Sequence, residues 1–138
     1  MMQMNRRGFL KAMVATAAIT TGLARTRIEQ VFSRFNENYP IGHVLRHWAD
    51  PTGQMNSSHA IQAAIDEGIK HGVDVVFGGG NFMVEETLKV NENVTITGGS
   101  LDGAGKANPV LYYAPHIDGA VLEGMHIKNA ITGIYVDA

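Results

Sequence analysis

Cysteine is absent from the 138 residues, which excludes a disulfide scaffold, a thiolate metal site and a cysteine nucleophile. No apolar run reaches the length of a membrane span; the uncharged stretch from Ala12 to Ala24 is too short to cross comfortably. Clustered lysine and arginine are also missing beyond the start. Arg6, Arg7 and Lys11 are the basic residues of the first two dozen positions, and the rest holds eight basic against thirteen acidic residues. That balance argues against a nucleic-acid-binding surface, which needs a basic patch. Aromatics are few, with five Phe and one Trp beside sixteen Gly, a composition suited to many tight bends around small and aliphatic core residues. With 45% hydrophobic and 17% charged residues, what remains is ordinary for one globular domain.

Two segments, Val94–Gly103 and Ala120–Asn129, repeat one pattern at an offset of about 26 residues, within the range of stacked repeats. The offset sets Ile96 on Leu122, Gly98 on Gly124, Leu101 on Ile127 and Gly103 on Asn129. Apolar and polar residues alternate as in a half-buried strand, and Gly or Asn falls where a bend needs positive φ. Stacking in register predicts a solenoid with Thr97 under Glu123, Ser100 under His126, and Asp102 under Lys128 as an opposite-charge pair.

The start has the form of an export signal over 1–24: a basic Asn5-Arg6-Arg7-Gly8-Phe9-Leu10-Lys11, an uncharged run, then small residues at Gly22 and Ala24. Arg6, Arg7, Phe9, Leu10 and Lys11 resemble a twin-arginine signal, with Asn5 where Ser or Thr is common. This predicts engagement of the twin-arginine export machinery, a periplasmic or secreted product and Arg25 as first mature residue. The competing reading is a retained N-terminal helix.

Residues 25–55 read as a helix and linker. Ile28, Val31, Phe32 and Phe35 form an apolar stripe. His43 and His47 stand at i, i+4, a spacing that suits metal ligands on a helix, but Pro40 and Pro51 leave little room for one, and they are read as polar lining around Trp48.

Residues 56–138 read as a capping helix and coils. Asn56, Ser57 and Ser58 offer caps, Ile61, Ala64, Ile65 and Ile69 form the apolar face, Asp66 and Lys70 an i, i+4 pair, and Gly72 a stop. Short strands follow at Val73–Phe77, Asn81–Val84, Thr87–Val90, Val110–Tyr113 and Ile134–Val136, with Gly78-Gly79-Gly80 as a turn. The spacing is too short for crossover helices, so stacking must come from coiling.

Asp50-Pro-Thr-Gly53 running to Ala60-Ile-Gln-Ala-Ala-Ile65, then Val75-Val-Phe-Gly-Gly-Gly80, Asn93-Val-Thr-Ile-Thr-Gly98 and Leu101-Asp-Gly-Ala-Gly105, resemble the N-terminal part of pectate-lyase-like proteins. The resemblance covers about residues 48–138. It implies a right-handed parallel β-helix with an N-terminal amphipathic capping helix, of which only the first few coils are present. It further implies a polysaccharide substrate, pectin-like or another acidic glycan, cleaved by hydrolysis or by β-elimination, with calcium as a possible cofactor of a lyase. Two departures stand out: Gly78-Gly79-Gly80 replaces a Pro-containing turn, and the Asn-Thr-Asp, Asp-Asp and Gly-His-Gly signatures of the polygalacturonase branch are missing. The chain stops at Ala138 within what reads as a coil, so the catalytic coils are expected to be missing and the 138-residue chain inactive. The alternative is a non-catalytic glycan-binding rod of adhesin or phage-tailspike type, which would be a homotrimer.

No catalytic residue is assigned by these signals. Adjacent Glu85 and Glu86 would point to opposite faces of a strand, and Asp102 lies in a turn where Asp hydrogen-bonds its own backbone. Asp102, Glu123 and His126 are the candidates for facing a glycan. Tyr112, Tyr113 and Tyr135 are read as packing residues rather than sugar platforms.

Overall fold

The computed structural model describes residues 34–137. The predicted export signal, with Arg6, Arg7, Phe9, Leu10 and Lys11, and the stripe residues Ile28, Val31 and Phe32 lie outside them. Among the described residues the protein is mainly β, with one α-helix and two parallel sheets that do not close into a barrel.

The helix α1 spans Ser58–His71. Its predicted face is the buried one, with Ile61, Ala64 and Ile65 at zero exposure, and Gly72 ends it in the left-handed region at φ 67°. Its start departs from the simple cap. Asn56 Oδ1 accepts from the Ser58 N–H, Ser58 Oγ accepts from the N–H groups of Glu85 and Glu86, and Ser57 Oγ accepts from the Asp50 N–H. These polar residues tie the helix to two loops, so they hold tertiary structure rather than only the helix end. Asp66 accepts from Gln62 at i−4, not from Lys70.

The strands are β1 (Val75–Val76), β2 (Asn81–Met83), β3 (Leu88–Val90), β4 (Thr95–Asp102), β5 (Leu111–Tyr113), β6 (Val121–Lys128) and β7 (Ile134–Val136). All pairings are parallel. β4 lies between β1 and β2 on one edge and β6 on the other, while β3, β5 and β7 stack in order in the second sheet. The 26-residue offset is the observed register: Ile96 pairs with Leu122, Thr97 with Glu123, Ser100 with His126, Leu101 with Ile127 and Asp102 with Lys128. Gly98 and Gly124 both take positive φ, 47° and 64°, and sit on one another where the alternation is interrupted. At the end of the first copy the positive φ falls on Ala104 and Gly105 instead of Gly103. Gly103 is held to glycine by space, since a Cβ there would lie 2.9 Å from the Asn129 carbonyl oxygen.

The core runs between the sheets and under α1. Phe77 and Phe82 meet edge to face at 5.4 Å between ring centres, and Leu88, Val90, Ile96, Leu101, Val110 and Leu111 are buried around them. Before the helix, Val44–His47 form a 3-10 turn that Trp48 ends at φ 65°. Trp48 is half exposed and the histidines do not line it. His43 Nδ1 accepts from the Leu45 N–H, and His47 reaches Glu67 on α1.

Candidate functional site

After β4 and β6 the chain turns into two loops that lie one above the other and enclose an open groove of about 520 Å³. Asp102, Asn108 and Asn129 give it polar groups, while Ala104, Gly105 and Ile131 give it small or apolar ones. Asp102 occupies the end of β4, and its Oδ1 accepts from the Ala104 N–H at 2.8 Å, the turn bond expected of it. The same oxygen accepts from Asn129 Nδ2 at 2.9 Å, which bridges one coil to the next. The hydrogen bond from Asn129, that from Ala104 and the charge of Lys128 hold the Asp102 carboxyl below its ordinary range, against a smaller effect of burial. It is therefore an ionised acceptor rather than a proton donor. The charge pair predicted with Lys128 contributes least among the favourable influences; the link between coils is mainly the Asn129 amide.

Glu123 and His126 lie elsewhere. Both are exposed on the outward face of β6, over Thr97 and Ser100 of β4, and neither lines the groove with Asp102. Tyr112 and Tyr135 stack at 6.0 Å between ring centres, with the Tyr112 hydroxyl donating to Asp137, while Tyr113 is buried, and burial raises its hydroxyl's pKa.

Three groupings escaped the sequence reading. Glu67 of α1 accepts from the Gly42 N–H at 3.1 Å and from His47 Nε2 at 3.0 Å, with Arg46 Nε 3.5 Å from its other oxygen. Burial alone would raise its pKa; the His47 and Gly42 hydrogen bonds and the charges of His47 and Arg46 outweigh that and lower it. The signal was an acid placed between Ala64 and Gly68 on the buried face. Asp50 accepts from Thr52, Gln54 and Met55 and so folds its own loop, with its pKa lowered first by the Thr52 side chain. Gln62 pairs its side-chain amide with both backbone groups of Lys89.

The carboxylates are thus largely engaged in structure. Glu85 pairs with Lys106 and Glu86 with His59, and Asp118 accepts from Asn93. Each carboxyl with a displaced titration is displaced downwards, whereas glycoside cleavage asks one carboxyl to hold its proton near neutrality. Among the described residues no three His, Asp or Glu side chains gather as a metal site, and no helix is long and apolar enough to cross a membrane.

A mainly parallel β architecture with stacked asparagine- and glycine-bearing turns is the class to which this arrangement belongs. The sequence profile of the rhamnogalacturonase A/epimerase, pectate lyase-like family matches residues 44–134, about two thirds of the chain, and the chain belongs to that family. No curated protein and no solved structure is significantly similar to it.

Proposed function

We propose that this chain forms the front coils of a right-handed parallel β-helix in an exported polysaccharide-active protein, directed at pectin-like or other acidic glycans. The family match over residues 44–134 carries this reading. It is supported by the 26-residue parallel register, which lays one coil on the next, and by the open, asparagine-rich groove at the coil turns. Fold alone does not fix chemistry. The described residues supply hydrogen-bonding surface, and hydrolysis or β-elimination draws its acid and base from outside them. Calcium does not fit here: it takes six to eight oxygen ligands, and no acidic cluster forms among these residues. No step is routed through it.

The overall charge opposes an acidic glycan, so the local cations matter. His126 and Lys128 line the outward face of β6 beside Ser100 and Asp102. Affinity electrophoresis through polygalacturonate or rhamnogalacturonan is expected to retard the protein, and Lys128→Glu to weaken that retardation severalfold. Failure of every acidic glycan to retard it would remove the reading. No reducing ends or unsaturated uronates should be released by the 138-residue chain; release would show that its own residues hold the acid–base pair. For export, the periplasmic product should begin at Arg25, and an intact N-terminus would contradict the signal.

A further inference from the structure

β6 carries β4 on one edge, and among the described residues nothing pairs with its other edge. Two hydrogen bonds fix which backbone groups face inwards to β4: the Val121 N–H donates to the Val94 carbonyl at 3.2 Å, and the Gly103 N–H donates to the Lys128 carbonyl at 2.9 Å. Because successive residues of a strand aim their N–H and C=O groups to opposite edges, Leu122 and Ile127 aim theirs at the open one.

The side chains follow a second pattern. Val121, Glu123, His126 and Lys128 are exposed, while Leu122, Met125 and Ile127 are partly buried. A regular strand of even length laid antiparallel on itself sets inward residues against outward ones. Here the interruption at Gly124, with φ 64°, resets the alternation. The order becomes outward, inward, outward, glycine, inward, outward, inward, outward, which reads nearly the same from both ends. The strand is self-complementary about the point between Gly124 and Met125.

We propose that a second copy of this chain pairs antiparallel with the open edge of β6 about a two-fold axis at that point. Leu122 then lies opposite the partner's Ile127, both with free backbone groups at the edge and both with inward side chains, and forms a hydrogen-bonded ring at each end of the strand. Glu123 lies opposite the partner's His126, and Val121 opposite the partner's Lys128. The charges are complementary in this register, and a two-fold axis repeats every pairing. The end also holds an apolar cavity of about 330 Å³ lined by Tyr113, Ile117, Leu122, Ile134 and Val136, beside the bare edge of β7. Head-to-tail growth is blocked, because at the opposite end Gln62 covers Lys89 of β3, and the segment from Gly42 to Ser57 covers β1 and β2. The pairing therefore closes as a dimer. This inference does not depend on the carbohydrate reading.

The cysteine-free chain permits a direct test with Glu123→Cys and His126→Cys as separate variants of the full 138 residues. Opposed residues of a non-hydrogen-bonded antiparallel pair have Cα atoms about 4.5 Å apart, within disulfide reach. Mild oxidation of the two variants mixed should give a covalent dimer of twice 14.9 kDa, and either variant alone should give far less. Sedimentation gives an independent readout. Glu123→Lys should weaken the dimer about tenfold, from two such cross-strand pairs per dimer, and adding His126→Glu should restore it. A monomer, a trimer, equal cross-linking by single variants, or a dimer indifferent to the charge reversal and its rescue would overturn the proposal.

Discussion

At the front of the strand stack, Gln62 of α1 sets its carboxamide over Lys89, accepting from its N–H at 2.8 Å and donating to its carbonyl at 2.9 Å. Pro51 and Gly42 accept from the N–H groups of Asn81 and Val76 along the neighbouring sheet. At the rear, β6 and β7 carry no such cover among the described residues, and Val136 is 66% exposed where Leu101, one sheet layer in, is fully buried. The same repeat pattern thus yields two different surfaces. A strand edge is made harmless by groups that satisfy its backbone and not by its own sequence; that is why the front needs a helix and a long irregular segment.

The largest test of this contrast is a matched pair of truncations. Leu101→Ala should cost about 3 kcal/mol, as for a fully buried leucine, while Ile127→Ala, its register partner in the outer layer, should cost about 1 kcal/mol. Chemical denaturation measures both, and equal losses would erase the difference between layer and edge. Next comes the front closure. Glu67→Ala strips the Gly42 N–H, His47 and Arg46 of a partly buried partner and should cost about 2 kcal/mol. Gln62→Ala should cost about 1 kcal/mol and speed amide exchange at Lys89 towards that of the rear edge; unchanged exchange would mean that the glutamine does not protect the edge.

The smallest effect is in pH. Glu67 has its folded pKa depressed, so its contribution is complete at neutral pH and fades as the pH falls through the carboxylate range, below about 4.3. Glu67→Gln should therefore flatten the acid limb of stability against pH without changing its shape above about pH 6. Asp50 and Asp102 act in the same direction and leave a residual slope.

Much of the strand stack was legible because it is written twice. The repeat at Val94–Gly103 and Ala120–Asn129 gave the register residue by residue, and the stripe of Ile61, Ala64 and Ile65 gave the buried face of α1. What escaped were the side chains that bond across long sequence separations. Asn56 and Ser58 look like caps, but their acceptors also serve a loop almost thirty residues away, at Glu85. Asp102 pairs more directly with Asn129 than with its strand partner Lys128, because a turn amide can approach in the plane of the carboxylate while the lysine extends from the sheet face. The groove inherits this limit. Asp102 was identifiable from its turn, whereas Asn108 and Ile131 join it only once the coils are laid on one another.

The stacked register is the central claim, and an engineered disulfide within one chain tests it most directly. Ser100→Cys with His126→Cys joins register partners of neighbouring parallel strands, whose Cα atoms lie about 4.8 Å apart, within disulfide reach. Ser100→Cys with Lys128→Cys displaces the second cysteine by two residues along the strand. The account predicts that the first pair oxidises within the monomer, with loss of both thiols and no loss of folded structure, and that the second stays reduced under the same conditions. Oxidation of the displaced pair in preference to the register pair would contradict it.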